Sequence, residues 1–481
     1  MIKGYSKALG SLLLLFLVVA FASCQTGRPR PEFMPAEVFP EPETGYYVEG
    51  AGWPGLPGLN QDQAFIPASL TKVITATFAL RVLGEDFRYK TYVRSTGSSR
   101  DGVLRGNLYL QGAGDPFLTA AHLMGLAQAL RRKGIHEVQG HFYFDDSLFL
   151  GQDSIDAAMD PTFAYNPGIS ALSSEFNQAS LRWNFGKDWV GPNLYLLPGL
   201  SLFSAEKLGL VMPKEIQYSE QGGHETWSLS SDTRVLGNAR VPVKHPGRYT
   251  ALLFSEFCRL SGITLPEPTS ARAPTKSARL LVHTSEPLLQ TAERMLEYSN
   301  NMTAELLSLT AARKVVGHAV SVSEAADIMR EWLAARIKRE EFKNIKLANS
   351  SGLTTGNLVT PHQIVELLEY AESEPFGERS FSSLLPISGW KGTLTERMAT
   401  PDAAFHVWAK TGSLDFVSAL GGYVFTRAGH KLTFAILMKD EKLAQSSKAL
   451  PPAEATALAS RWNQMAHLAQ EKYLRQWIDQ L

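Results

Sequence analysis

The period of the apolar pattern changes twice along this chain, and that change limits the possible folds more than any other feature. Over residues 69–83, apolar side chains recur at helical spacing (Leu70, Val73, Ile74, Phe78, Leu80, Leu83), directly after Pro67. From about 88 to 280, short strand-like runs such as 103–110 and 141–144 take over, separated by Gly, Asp and Ser turns. Helical spacing returns at Ser285-Glu286-Pro287, which reads as an N-cap followed by an early proline, and continues over 303–312 and 323–337. The pattern then predicts strands over 404–409, 417–425 and 432–438, a turn at 427–430, and a final amphipathic helix over about 453–481. No internal repeat is visible. At 481 residues the chain exceeds one ordinary core. The expected fold class is therefore α/β (α+β) and multi-domain, a helix-and-sheet body interrupted by a large β-rich insertion.

Composition narrows the function. With 44% apolar and 20% charged residues, the chain is globular rather than disordered. Lys+Arg and Asp+Glu both number 47, so the basic surplus expected of a nucleic-acid partner is missing. Two cysteines exclude a disulfide scaffold and a Cys-rich zinc site. Cys258 has apolar neighbours at helical spacing and reads as a buried structural thiol. His136 and His141 come near a zinc-hydrolase motif with one residue too many, which on a helix would turn the imidazoles about 140° apart. Gly134 and Gly140 also oppose a helix there, so no metal is expected. There is neither a G-x-S-x-G elbow nor a P-loop.

The N-terminus reads as an export signal. Lys3 and Lys7 are the only charges before Cys24, and the apolar run 12–22 is shorter than the roughly 20 residues a spanning helix needs. Phe21-Ala22-Ser23-Cys24 resembles a bacterial lipobox, with Phe21 where leucine is usual. That resemblance implies a signal peptide over 1–23 and a lipid on Cys24. The alternative is an ordinary signal peptide with an incidental cysteine. Residues 24–44 carry Pro29, Pro31, Pro35, Pro40 and Pro42 and read as a Pro-rich tether. At ~3.1 Å per residue in a polyproline-like state it could reach up to ~60 Å from a membrane. The expected location is the bacterial cell envelope, as a periplasmic lipoprotein anchored to a membrane.

Three short stretches carry the chemistry. In Pro67-Ala68-Ser69-Leu70-Thr71-Lys72, helical spacing sets a serine hydroxyl beside the amine of the lysine one turn on. A lysine whose pKa is lowered by burial or nearby cations can deprotonate such a hydroxyl. The same spacing recurs at Ser204/Lys207 and Ser388/Lys391, but neither opens a sustained apolar helix. Tyr298-Ser299-Asn300-Asn301 falls in a break between two helical patterns, where a hydroxyl and an amide can point into a cleft or merely cap helices. Lys410-Thr411-Gly412-Ser413 lies on a predicted strand. There Lys410 offers a fixed charge, Thr411 and Ser413 offer donors, and Gly412 leaves the backbone open to a ligand. The alternative is an edge strand protected by lysine.

In the order Ser-x-x-Lys, Ser-x-Asn, Lys-Thr-Gly, these stretches resemble the triple signature of the penicillin-interacting serine acyl enzymes. The long gap between Ser69 and Ser299 resembles the class C low-molecular-mass penicillin-binding proteins, the D-alanyl-D-alanine carboxypeptidase/endopeptidase family. Further matches are Gly114-Asp115-Pro116-Phe117-Leu118-Thr119, the stretch from Ser299 to Glu305, Asn349-Ser350-Ser351-Gly352-Leu353, and the stretch from Leu385 to Leu394. Departures are Asn300 in place of Asp, Thr354-Thr355 in place of Ser-Arg, and a longer C-terminal helix.

The resemblance implies a penicillin-binding, β-lactamase-like transpeptidase core. It would consist of an antiparallel sheet flanked by helices plus a helical subdomain, over 45–90 and 280–481, with 91–279 inserted. It implies Ser69 as nucleophile, Lys72 as general base, and Ser299 with Asn301 relaying a proton. Lys410, Thr411, Gly412 and Ser413 would bind the substrate's terminal carboxylate. Peptidoglycan stem peptides would be substrates and β-lactam antibiotics covalent inhibitors, with no metal or organic cofactor. The rival readings are a β-lactamase or esterase on the same core, and a catalytically silent envelope lipoprotein that binds cell-wall peptides or proteins.

Overall fold

The computed structural model describes residues 43–50, 58–184, 193–194, 201–204, 216–221, 224–229, 237–337, 342 and 344–481. The expected signal segment, Cys24, all but the end of the tether, and Lys207 lie outside the described residues.

Strand β1 (Thr44–Gly50) leads to helix α1 (Thr71–Leu83). The long middle segment supplies β2 (Lys90–Ser95), β3 (Leu108–Gln111), α2 (Ala120–Arg132), β4 (Phe142–Asp145), α3 (Pro246–Leu260), β5 (Pro268–Ser270) and β6 (Ala278–Thr284). Helices α4 (Leu288–Tyr298), α5 (Asn301–Val316), α6 (Val322–Ile337) and α7 (Pro361–Glu372) follow. The chain ends with β7 (Val407–Leu414), β8 (Val417–Phe425), β9 (Lys431–Lys439) and α8 (Pro452–Gln480).

The first and last parts of the chain meet in one antiparallel sheet, in the order β1-β9-β8-β7. Strand β8 is buried from Val417 to Val424 because both of its faces are covered. Ala419 and Tyr423 face a core shared with α1 and α4–α7. Leu420 and Val424 face Trp462, Tyr473 and Trp477 of α8. Every residue of α1 from Thr71 to Leu80 is buried, which makes it the central helix of the body.

The middle segment is not purely β. Its five-stranded sheet, in the order β5-β4-β3-β2-β6, is backed by α2 and α3. Helix α2 buries Leu123, Leu126, Ala127 and Leu130, and its capping box pairs Thr119 with His122. A histidine at that position gives no capping-box signature in the sequence, where Glu or Gln is the usual mark. Cys258 of α3 is buried in the same core, and burial pushes its thiol up to about 12. Two boundaries also shift. Ser285 accepts from Tyr89 N and donates to Glu286 O, so α4 starts after Pro287 rather than at a serine cap. Strand β7 begins at Val407, because Phe405 has φ 68 and breaks the extended run predicted from 404.

Candidate active site

Ser69 does not sit in an α-helical turn. It lies in the 3₁₀ turn Ala68–Leu70 that runs into α1, with Pro67 at the cap position. Ala68 holds a left-handed φ of 47, a conformation that costs about 1 kcal/mol or more for a residue with a Cβ. Neighbouring loops hold this turn in place. Thr71 Oγ1 donates to Ala68 O at 2.8 Å and accepts from Asn357 Nδ2 at 3.1 Å. Gly352, at φ 78, approaches so closely that a Cβ there would lie 1.8 Å from Ala68 O. One turn on, Lys72 Nζ lies 2.8 Å from Ser69 Oγ, 2.7 Å from Asn301 Oδ1 and 2.7 Å from Ser351 O.

The break between α4 and α5 works as its polar residues suggest, with the roles divided. Ser299 ends α4 in the left-handed region, at φ 57 and ψ 35. Asn300 is the N-cap of α5, and its Oδ1 accepts from Thr303 N at 2.8 Å and from Thr303 Oγ1 at 2.9 Å. Capping is a task asparagine performs as well as aspartate, so this departure from the family pattern leaves the turn intact. Asn301 then directs Oδ1 at Lys72, while its Nδ2 donates to Tyr165 O of the middle segment at 3.0 Å.

On β7 the pleat separates the four residues. Thr411 is half-buried and Ser413 is exposed. Lys410 is fully buried, and its Nζ donates to Ser299 Oγ at 3.0 Å and to Thr411 O at 2.7 Å. It is thus turned into the protein, which excludes the alternative of an exposed edge lysine. Gly412 is buried, and a Cβ there would lie 2.3 Å from Pro67 O and 3.1 Å from Ser69 N. Its bareness lets the strand edge close on the Ser69 turn.

Burial sets the electrostatics. The Lys72 amine is held well below the ordinary lysine range by burial first and the Lys410 charge second, with Glu305 opposing both. Burial pushes Lys410 down to about 7. Glu305 is buried and its carboxyl is raised by desolvation, against which hydrogen bonding works. Its oxygens accept from Ser350 N at 3.1 Å and Ser351 N at 2.8 Å, which fixes the loop whose carbonyl meets Lys72. Sequence reasoning assigned no role to Glu305 or to the Ser351 carbonyl. The available signal was an acid one helical turn after Asn301 inside an apolar run; a backbone carbonyl leaves no such signal.

The Ser388/Lys391 match is not a second site. Ser388 Oγ donates to Ala403 O, while Lys391 pairs with Glu293 at 2.6 Å. Among the described residues, no group of three or more His, Cys, Asp or Glu side chains is arranged to hold a metal ion.

Comparison with known proteins identifies the family and the fold. The sequence model of the D-Ala-D-Ala carboxypeptidase 3 (S13) family matches residues 56–187 and 228–458. A D-alanyl-D-alanine carboxypeptidase of Actinomadura sp. (strain R39) is 30% identical over 412 residues, covering 78% of this chain and 73% of that protein. The D-alanyl-D-alanine carboxypeptidase DacB of Haemophilus influenzae is 27% identical over 395 residues, covering 78% of this chain and 80% of its own length. Among solved structures, penicillin binding protein 4 (dacB) from Haemophilus influenzae matches with a TM-score of 0.73 at 22% identity. That match covers 89% of this chain and 96% of that one, and establishes a common fold.

Proposed function

This chain belongs to the D-Ala-D-Ala carboxypeptidase 3 (S13) family, and from that membership we propose how its residues divide the work of a serine hydrolase. The enzyme is a serine-type D-Ala-D-Ala carboxypeptidase/endopeptidase of peptidoglycan.

The carrying observation is the set of partners around Lys72. A neutral amine has two N–H bonds and one lone pair. The Ser351 carbonyl can only accept, and so can Asn301 Oδ1, whose amide is oriented by the Nδ2 bond to Tyr165 O. These two oxygens take both N–H bonds, so the lone pair is left for the Ser69 hydroxyl 2.8 Å away. The depressed pKa favours this form of the amine.

Ser69 Oγ then attacks the carbonyl carbon of the scissile D-residue as its proton passes to Lys72. The Ser69 and Ser413 amides hold the oxyanion, each worth about 3 kcal/mol of barrier lowering. Collapse breaks the C–N bond; Ser299, in contact with Lys410, gives its hydroxyl proton to the leaving amine and takes up the proton held by Lys72, which returns Lys72 to its neutral form. Water activated by Lys72 then hydrolyses the acyl ester and restores Ser69. The Thr411 and Ser413 hydroxyls face the substrate's terminal carboxylate, with Gly412 keeping the edge close and the Lys410 charge behind it. A β-lactam imitates the D-Ala-D-Ala end, acylates Ser69 and leaves slowly.

The surrounding organisation belongs to the same proposal. Residues 45–90 and 280–481 form the catalytic unit, and 91–279 is inserted and supplies Tyr165. The 1–23 segment directs export, lipidated Cys24 anchors the protein to a membrane, and the tether holds the enzyme off the bilayer in the periplasm. Among the described residues no helix is long and apolar enough to cross a membrane. Nucleic acid is not a partner.

Ser69→Ala is expected to abolish both fluorescent-penicillin labelling and D-alanine release, while the wild type forms a long-lived, stoichiometric adduct. Continued D-alanine release by the variant would refute the nucleophile assignment. Rapid loss of the adduct in the wild type would favour the β-lactamase reading.

A further inference from the structure

Three large aromatic side chains stand in the open next to this site. Tyr298 is 69% exposed, Trp390 61% and Phe405 58%. Trp390 and Phe405 lie together, with ring centroids 6.1 Å apart. Neither ring supplies much core, and Phe405 sits on a left-handed backbone at φ 68, a strained conformation for a bulky residue. Exposed aromatics clustered at a cleft mark a binding surface rather than packing.

Tyr298 and Trp390 line an open cleft of about 590 Å³ together with Glu297, Lys391, Thr393 and Thr395. Its wall is firm. Gly392 packs so tightly on the end of α4 that a Cβ there would lie 3.0 Å from Glu297 Cγ and Glu297 O. Lys391 is tied to Glu293, which also holds Arg379 at 2.8 Å. The cleft meets the reaction site where Thr411 Oγ1 donates to Thr393 Oγ1 at 2.9 Å, and its lining residue Tyr298 directly precedes Ser299.

That junction fixes which half of a substrate the cleft can meet. Under the proposed function, on which this inference rests, the Thr411 hydroxyl faces the carboxylate of the leaving residue. On the same reading the acyl half belongs on the Asn301 side, where Asn301 Nδ2 donates to Tyr165 O at 3.0 Å. A chain continuing past the leaving residue therefore enters the cleft. A lone D-alanine has no such continuation, whereas the second stem peptide of a cross-link does. We propose that the cleft beside Thr393, with Trp390 as its platform, is the leaving-group subsite that receives the second peptide of a cross-linked dimer. Trp390 and Tyr298 stack on peptide planes and aliphatic stems, while the Glu297 carboxylate stays beside Lys391 at 3.8 Å. Trp390 is thus a specificity residue for cross-link cleavage, not a catalytic one.

The test compares kcat/KM of the full chain on a cross-linked muropeptide dimer with that on the D-Ala-D-Ala monomer. In Trp390→Ala the dimer-to-monomer ratio is expected to fall about tenfold, as for loss of one aromatic contact. In Trp390→Phe it recovers most of the wild-type value. Penicillin labelling of each variant reports whether the Ser69 site is intact. A wild type that cleaves monomer but not dimer overturns the subsite, and so does an unchanged ratio in the labelled Ala variant. A wild type that neither takes up penicillin nor cleaves monomer refutes the underlying function instead.

Discussion

The amines of Lys72 and Lys410 are both shut away from water, yet the pockets around them differ. Lys72 Nζ meets two carbonyl-type acceptors and a hydroxyl, and feels both the Lys410 charge and the Glu305 carboxylate. Lys410 Nζ meets one hydroxyl and the carbonyl of the next residue on its own strand, and its depression has burial as its cause. Burial alone therefore does not make a base. The difference lies in acceptors that use up the N–H bonds of the neutral amine and leave a lone pair on the nucleophile, together with a neighbouring cation that discourages protonation. Under the proposed function Lys410, while protonated, supplies that cation and contacts Ser299, and Lys72 takes the proton.

Removing the neighbour gives the largest effect on this contrast. Lys410→Met is expected to slow penicillin acylation by about a hundredfold, within the range for loss of a positioned acid–base partner. Lys410 lowers the Lys72 pKa, so its loss raises that pKa and moves the acid limb of the acylation profile to higher pH. Stability carries the matching sign. The native Lys410 releases its proton near pH 7 and an unfolded lysine near 10.5, so between these values the unfolded chain binds more protons. The wild type should accordingly gain stability relative to the variant as pH rises through that window, by on the order of a few kcal/mol. Denaturant melts at pH 7 and pH 9.5 read the difference. A parallel pair of curves would break the contrast.

Glu305→Gln should act more weakly and in the opposite direction. Glu305 raises the Lys72 pKa, so neutralising it lowers that pKa and moves the acid limb to lower pH. An amide also turns a donor toward one of the Ser350 and Ser351 N–H groups, which is expected to reduce stability by about 1–3 kcal/mol. Rate profiles and melts on the same preparation separate the two effects.

The sequence showed much of this arrangement, because helical spacing pairs Ser69 with Lys72 and because Ser299 and Asn301 stand in a visible break. The last three strands of the sheet and α8 were legible from their apolar periods, whereas β1, which follows the Pro-rich stretch, was not read as a strand. The reason for Gly412 was not legible, since it depends on how closely a strand edge approaches Pro67 and Ser69 from a distant part of the chain. Nor was the inward turn of Lys410, because period-two spacing says which residues share a face but not which face is covered. Helix α2 was obscured by the short strands around it and by a histidine in its capping box, whereas α3 showed only as helical spacing around Cys258. The cleft beside Thr393 was equally hidden, because it exists only where α4 meets the loop before β7.

The protonation state of Lys72 tests the account most directly. In protein carrying ¹³C at the lysine ε-carbon, with the Lys72 resonance assigned through Lys72→Arg, this signal should titrate well below the ordinary lysine value of 10.5. In Lys410→Met it should titrate higher than in the wild type. A Lys72 that stays charged up to pH 10 while penicillin still acylates Ser69 at full rate would contradict its role as the base.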